Sequence, residues 1–159
     1  ISHCFIAKKF VNSYNTFANN WCTQVSHMKF FGNICSAIIH NNGFTLADCF
    51  MYNDKHNEAN GEDNRDGNDY NLTNNFGVEG PTRKKFINEI RRNRMHMAFT
   101  MLMFAQGVPL IMSGDEFGNT QGGNNNVYCQ DNEVAWLDWK KLEKEKDFFE
   151  YVKKLIKII

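Results

Sequence analysis

Two short apolar runs constrain this chain more than any other feature. Residues 34–39 (ICSAII) and 108–112 (VPLIM) are aliphatic, partly β-branched and too short for helices, so they read as buried strands. Between them lies a helical pattern carried by Ile87, Ile90, Met97, Ala98, Met101, Leu102 and Ala105, introduced by Pro81 and Thr82 and terminated by Gly107. A last helix takes in Leu142, Phe149, Val152, Leu155 and Ile156. The order strand, long helix, strand, helix is that of a parallel α/β unit with right-handed crossovers. In such units the loops leaving the carboxyl ends of the strands share one face, and that face carries ligand chemistry. The polar loops beginning at His40 and Gly114 are therefore expected to be neighbours.

Both loops are long. Residues 53–80 are dense in Asn, Asp, Gly, Glu and His with almost no apolar periodicity, and residues 114–132 are rich in Gly and Asn. So long a loop in a compact domain is functional or disordered. Ahead of the first loop, Thr45 followed by Asp48 resembles a variant capping box and predicts a short helix through Tyr52. At the start of the chain, Ile6, Phe10, Tyr14, Phe17 and Trp21 recur at steps of three and four, which predicts an amphipathic helix over roughly the first twenty residues. The chain opens on Ile1 and closes on an uncapped helical pattern, so it reads as a segment of a longer protein.

Charge narrows the partner. Eighteen basic and eighteen acidic residues cancel, leaving no basic stripe for a nucleic-acid backbone and no polybasic run for an anionic membrane. A neutral partner such as a sugar polymer fits better. The apolar region 97–112 is interrupted by Gln106, Gly107 and Pro109 and falls short of the roughly 20 residues a spanning helix needs. No signal-peptide pattern opens the chain. Five cysteines form no CxxC pair, which fits reduced thiols and a cytoplasmic compartment better than a disulfide framework or a zinc site. The sequon at residues 71–73 is short and common by chance.

Residues 43–67 (GFTLADCFMYNDKHNEANGEDNRDG) and 106–139 (QGVPLIMSGDEFGNTQGGNNNVYCQDNEVAWLDW) resemble long signatures of isoamylase-type glycogen debranching enzymes of glycoside hydrolase family 13, in the α-amylase superfamily. The resemblance covers about two thirds of the chain, and residues 1–33 match it poorly. It implies an α/β fold, a partial (β/α)8 TIM barrel made of about the last two β/α units with long βα loops. Residues 34–39 would be the seventh strand and 108–112 the eighth. A whole barrel takes about 250 residues, so the chain is expected to be a single fragment of a catalytic barrel, 1–159, with a poorly matching helical segment over 1–33.

The resemblance also implies hydrolysis of α-1,6 branch linkages in glycogen or limit dextrin, without metal or organic cofactor. Such enzymes retain configuration, with a nucleophile and an acid/base roughly 5 Å apart. Those two residues belong to the fourth and fifth strands of the family fold, outside the part matched here. A third family carboxylate, which stabilises the cationic transition state, belongs to a His-Asp pair just before the Gly-Phe-Thr-Leu motif. Here His40, Asn41 and Asn42 precede Gly43, so either Asn42 or Asn41 stands in the aspartate's place. Losing that charge costs about 3 kcal/mol, or roughly a hundredfold in rate. Two readings follow: an enzyme fragment inactive alone, completed by the rest of the barrel, or a non-catalytic glucan-binding relative that assembles with another debranching subunit.

Other residues invite competing readings. Asp115 and Glu116 follow a strand at the expected functional face, but adjacent side chains point apart, and the resemblance implies a structural turn that shapes the sugar subsites. His56, Asn57, Asn60, Asn64, Arg65 and Asp66 are expected to form a self-bonded polar loop flanking the glucan groove, and His40 is read either as a hydrogen-bonded residue at a strand end or as a substrate contact. Read as a calcium loop, residues 62–73 fail at both ends, where Glu62 and Thr73 stand. Tyr128, Trp136 and Trp139 could stack on sugar rings, although core packing is the stronger expectation for the two tryptophans. Arg83, Lys84, Lys85, Arg91, Arg92 and Arg94 are expected to form a solvated helix face.

Overall fold

The computed structural model describes residues 26–30, 33–37, 43–105 and 108–158. The helix expected over the first twenty residues, the terminating Gly107, and His40, Asn41 and Asn42 lie outside the described residues. Three strands form one sheet in the order β1 (Ser26–Phe30), β2 (Asn33–Ala37), β3 (Val108–Leu110). β1 and β2 pair antiparallel, whereas β2 and β3 pair in parallel with Cys35 opposite Val108 and Ala37 opposite Leu110. The parallel pair, with a long helix between its strands, is what the strand, helix, strand order predicts.

β1 corrects the expectation of a helical segment through residue 33. Its sequence alternates Met28 and Phe30 with His27 and Lys29, a period of two, which suits a strand. β3 corrects a second expectation, since Val108 and Leu110 are exposed rather than buried. Two-residue periodicity puts both on one face of the strand.

Among the described residues there are four α-helices: α1 (Leu46–Cys49), α2 (Lys85–Phe104), α3 (Trp139–Lys144) and α4 (Lys146–Ile158). Half of the expected capping box forms at α1, where the Thr45 hydroxyl accepts the Asp48 N–H at 3.2 Å. The helix ends at Cys49 instead of Tyr52. One core joins Leu46 and Phe50 to Ala98, Phe99 and Met103 of α2 and to Phe148, Val152 and Leu155 of α4. On α4 those positions follow the i, i+4, i+7 spacing of a helical stripe, so Phe148 is the buried ring where Phe149 was expected, and Ile156 faces solvent.

Two further expectations fail for physical reasons. Arg91 leaves the solvated cationic face and is buried, because its guanidinium donates to the carbonyls of Gly80 (2.7 Å), Asn75 (2.9 Å) and Val78. Those carbonyls end the long polar loop and need donors that a loop without regular structure cannot supply. Trp136 and Trp139 do not pack inside the core; they are 56% and 64% exposed. Leu137 between them is half-buried, near Gly114.

Arg91→Met should therefore strip three loop carbonyls of their donor while keeping much of the side-chain bulk. The expected loss is roughly 3 kcal/mol of unfolding free energy in urea titration, against less than about 0.5 kcal/mol for Arg83→Met on the exposed start of the same segment.

Candidate functional site

The loops that follow β2 and β3 are joined by buried polar side chains. From α1, ahead of the first loop, the Asp48 carboxylate accepts the Gln121 N–H at 2.8 Å and the Thr120 hydroxyl. From the second, Asp115 accepts the Leu46 N–H at 2.9 Å. Each segment thus satisfies a backbone donor of the other. Burial pushes the Asp48 carboxyl up, opposed by its bonds to Thr120 and Gln121. Burial also pushes the Asp115 carboxyl up to about 7; the Leu46 N–H opposes this, and the charges of Glu116 and Asp48 add to it. Burial likewise raises the Cys49 thiol, and the charges of Asp115 and Asp48 add to the shift, which disfavours its thiolate.

Asp115 opens a 3-10 turn, Asp115–Phe117, between two glycines in the left-handed region, Gly114 and Gly118. Glu116 turns away from Asp115 and accepts the Gly114 N–H at 2.8 Å. Neither is aimed at the other across a substrate-sized gap. Their contacts are those of a turn.

Above this clamp lies a layer of amides. Asn57, fully buried, exchanges both side-chain atoms with Asn125: its Nδ2 donates to Asn125 Oδ1 at 2.9 Å and its Oδ1 accepts the Asn125 N–H at 3.0 Å. Asn60 donates to Asp66 Oδ2 (2.6 Å) and the Asn126 carbonyl (2.8 Å), and its Oδ1 accepts from Asn124 (2.9 Å) and Gln130 (2.8 Å). Asp66 Oδ2 also accepts from Asn126 at 2.9 Å, and these amide donors hold the Asp66 carboxyl below its ordinary range. Asn64 closes the first loop on itself, accepting the Asn57 N–H and donating to the Lys55 carbonyl.

Of the residues picked out by sequence, Asn57, Asn60, Asn64 and Asp66 converge in this layer, and Asp115 and Glu116 sit in the turn beneath it. Arg65 is exposed, bonded to the Glu62 carbonyl. His56 stands at the edge, its N–H bonded to the Gly123 carbonyl (2.7 Å), its ring against Tyr52 and its Nε2 3.2 Å from Glu79. Burial works against the ionisation of Glu79, but bonds from Asn53, Asn75, Asp54 and His56 outweigh it and lower its carboxyl.

Sequence reasoning missed the partners on the second loop: Asn124, Asn125 and Asn126, together with the Asp48 contacts. The run of three asparagines after Gly122 and Gly123 was the available signal, since buried amides need amide partners. Among the described residues, no group of three or more His, Cys, Asp or Glu side chains could hold a metal ion. None of the described helices is long and apolar enough to cross a membrane.

No family model matches the chain. It is similar to a protein named glycogen operon protein GlgX homolog from Mycobacterium bovis, 54% identical over 112 residues, which are 70% of this chain and 16% of that protein. The Mycobacterium tuberculosis protein of the same name matches to the same extent. A protein named glycogen debranching enzyme from Klebsiella pneumoniae is 54% identical over 99 residues, 62% of this chain and 15% of that protein. The chain thus spans about a sixth of the length of the curated relatives it matches.

Two outcomes test the site's architecture. Asp115 titrates near 7 when folded against an ordinary 3.8, so its contribution to stability is fully present below pH about 4 and is lost as pH rises to about 7. Asp115→Asn keeps the acceptor for Leu46 and removes the charge. Its unfolding free energy should exceed that of the parent by a margin growing to a few kcal/mol between pH 4 and pH 7.5. Gly67, at φ +76°, leaves no room for a Cβ against the Asn57 and Asn125 amides. Gly67→Ala should cost roughly 2–4 kcal/mol, read as a lowered melting temperature, whereas Gly61→Ala, with open space around it, should cost about 1 kcal/mol.

Proposed function

We propose that this chain, which belongs to the isoamylase-type glycogen debranching enzyme family, supplies the last two β/α units of a (β/α)8 barrel acting on α-1,6 branches of glycogen or limit dextrin. The observation that carries the reading is the interlock of the two strand-exit loops through Asp48, Asp115 and the Asn57–Asn125 pair. It makes one polar surface from two loops on the carboxyl side of parallel strands, the place where α/β folds bind ligands.

In retaining hydrolysis of this kind the nucleophile and the acid/base belong to strands earlier in the fold. The role of this segment is then to hold the two loops in one arrangement through the buried amide layer, so that the exposed parts of both loops can meet the sugar together. The Leu46 N–H, bonded to Asp115, anchors the chain just after Asn41 and Asn42. An amide at either position hydrogen-bonds a glucose hydroxyl without offsetting a developing cation. That same substitution favours a second reading, a glucan-binding relative that assembles with an active debranching subunit.

A chimera separates the two. The Klebsiella pneumoniae relative, with its matching segment replaced by the corresponding residues of this chain, should debranch limit dextrin about a hundredfold more slowly than the unmodified relative. Asn42→Asp or Asn41→Asp in the chimera, whichever occupies the carboxylate position, should recover most of that loss, as measured by released linear maltooligosaccharides. A chimera that stays inert with both aspartates present sinks the catalytic reading, and brisk debranching by this chain alone contradicts its role as a part.

A further inference from the structure

We infer that Tyr128, Trp136 and Trp139 form an aromatic contact surface for a neutral α-glucan chain, an inference that rests on the glucan reading above. All three rings are exposed: Tyr128 is 67% accessible, and the two tryptophans exceed one half. Three large rings within twelve residues of one segment present exposed aromatic area that a binding partner could cover.

Each ring is held by a specific contact. The Tyr128 hydroxyl donates to Glu62 at 2.9 Å, the Trp136 Nε1 donates to Asp131 at 3.0 Å, and Trp139 stacks on the buried Phe117 with ring centroids 5.9 Å apart. The polar edges of Tyr128 and Trp136 are tied down, and Trp139 rests on Phe117 while still more than half exposed. Little rotamer freedom is left to lose on binding, and this lets aromatic platforms contribute affinity. Because Trp136 and Trp139 are three residues apart, their Cα atoms lie within about 11 Å of each other. Trp136 is bonded to Asp131, which lies three residues after Tyr128.

The surroundings select the partner. Glu62 and Asp131 put negative charge at the ring edges, which repels nucleic-acid phosphates and anionic headgroups. Carboxylates and amides such as Asn132 accept and donate to hydroxyls, and ring faces suit the apolar face of a hexose. The segment is also anchored to the amide layer, since Gln130 donates to Asn60 Oδ1 at 2.8 Å and to the Ala59 carbonyl at 2.9 Å. A chain laid on these rings would run toward the polar surface of the two loops.

Affinity electrophoresis of the full chain in glycogen-containing gels tests this. The parent should be retarded, and Trp136→Ala and Tyr128→Ala should each weaken retardation about tenfold. Trp136→Phe, which keeps a ring face, should retain most of it. Urea unfolding midpoints within error of the parent would exclude a folding defect, as expected for exposed rings. Retardation unchanged in both alanine variants overturns the inference, as does a parent chain that migrates freely. Either result leaves the debranching reading to the chimera, whose product release does not depend on gel retention by this chain.

Discussion

Two buried carboxylates crossing between loops hold the rest of this structure in place. Asp48 reaches from α1 to Thr120 and Gln121, and Asp115 reaches back from the second loop to the N-terminus of α1. Each ends in the apolar core's upper edge, beside Leu46 and Phe117, where an unpaired backbone N–H would be costly. The exchange works because each loop supplies what the other lacks. It also explains why two acids are tolerated near one another: burial raises both, and the Asp115 carboxyl titrates close to neutrality. A group poised in this way elsewhere would suggest an acid/base catalyst. Here its bond to Leu46 and its depth give it a positioning role.

The amide layer built on that clamp has a different character. Asn57, Asn60, Asn124, Asn125 and Asn126 pair with one another and with backbone, so a largely buried polar layer is ordered with little net charge. Amides offer donors and acceptors on one side chain, and a closed set of them satisfies itself without counter-ions. Arg91 performs the complementary task from α2, gathering the loop's last carbonyls.

Local pattern carried much of this. The parallel pairing of β2 and β3, the long helix between them, the Thr45 cap and the adjacency of the two polar loops follow from periodicity, capping chemistry and chain order. Long-range partners were less legible. Arg91 read as one more surface cation because nothing in its neighbours announces the carbonyls of residues 75–80. Trp136 and Trp139 read as core because large apolar rings usually are, but the ring buried beside Trp139 is Phe117. Phe148 and Phe149 differ by one step on a helix, and only the position of α2 decides which of them is inside.

By itself the amino-acid sequence determined the element order, the polar character of both loops and the family signature, since those depend on interactions between near neighbours and on residue type. Tertiary structure decided which asparagine meets which, that Asp48 and Asp115 trade backbone donors across more than sixty residues, and which aromatic faces remain open. The reason is that hydrogen bonding is directional and pairwise. An amide's preference for another amide is written in its chemistry, but its particular partner is set by where the core brings the backbone.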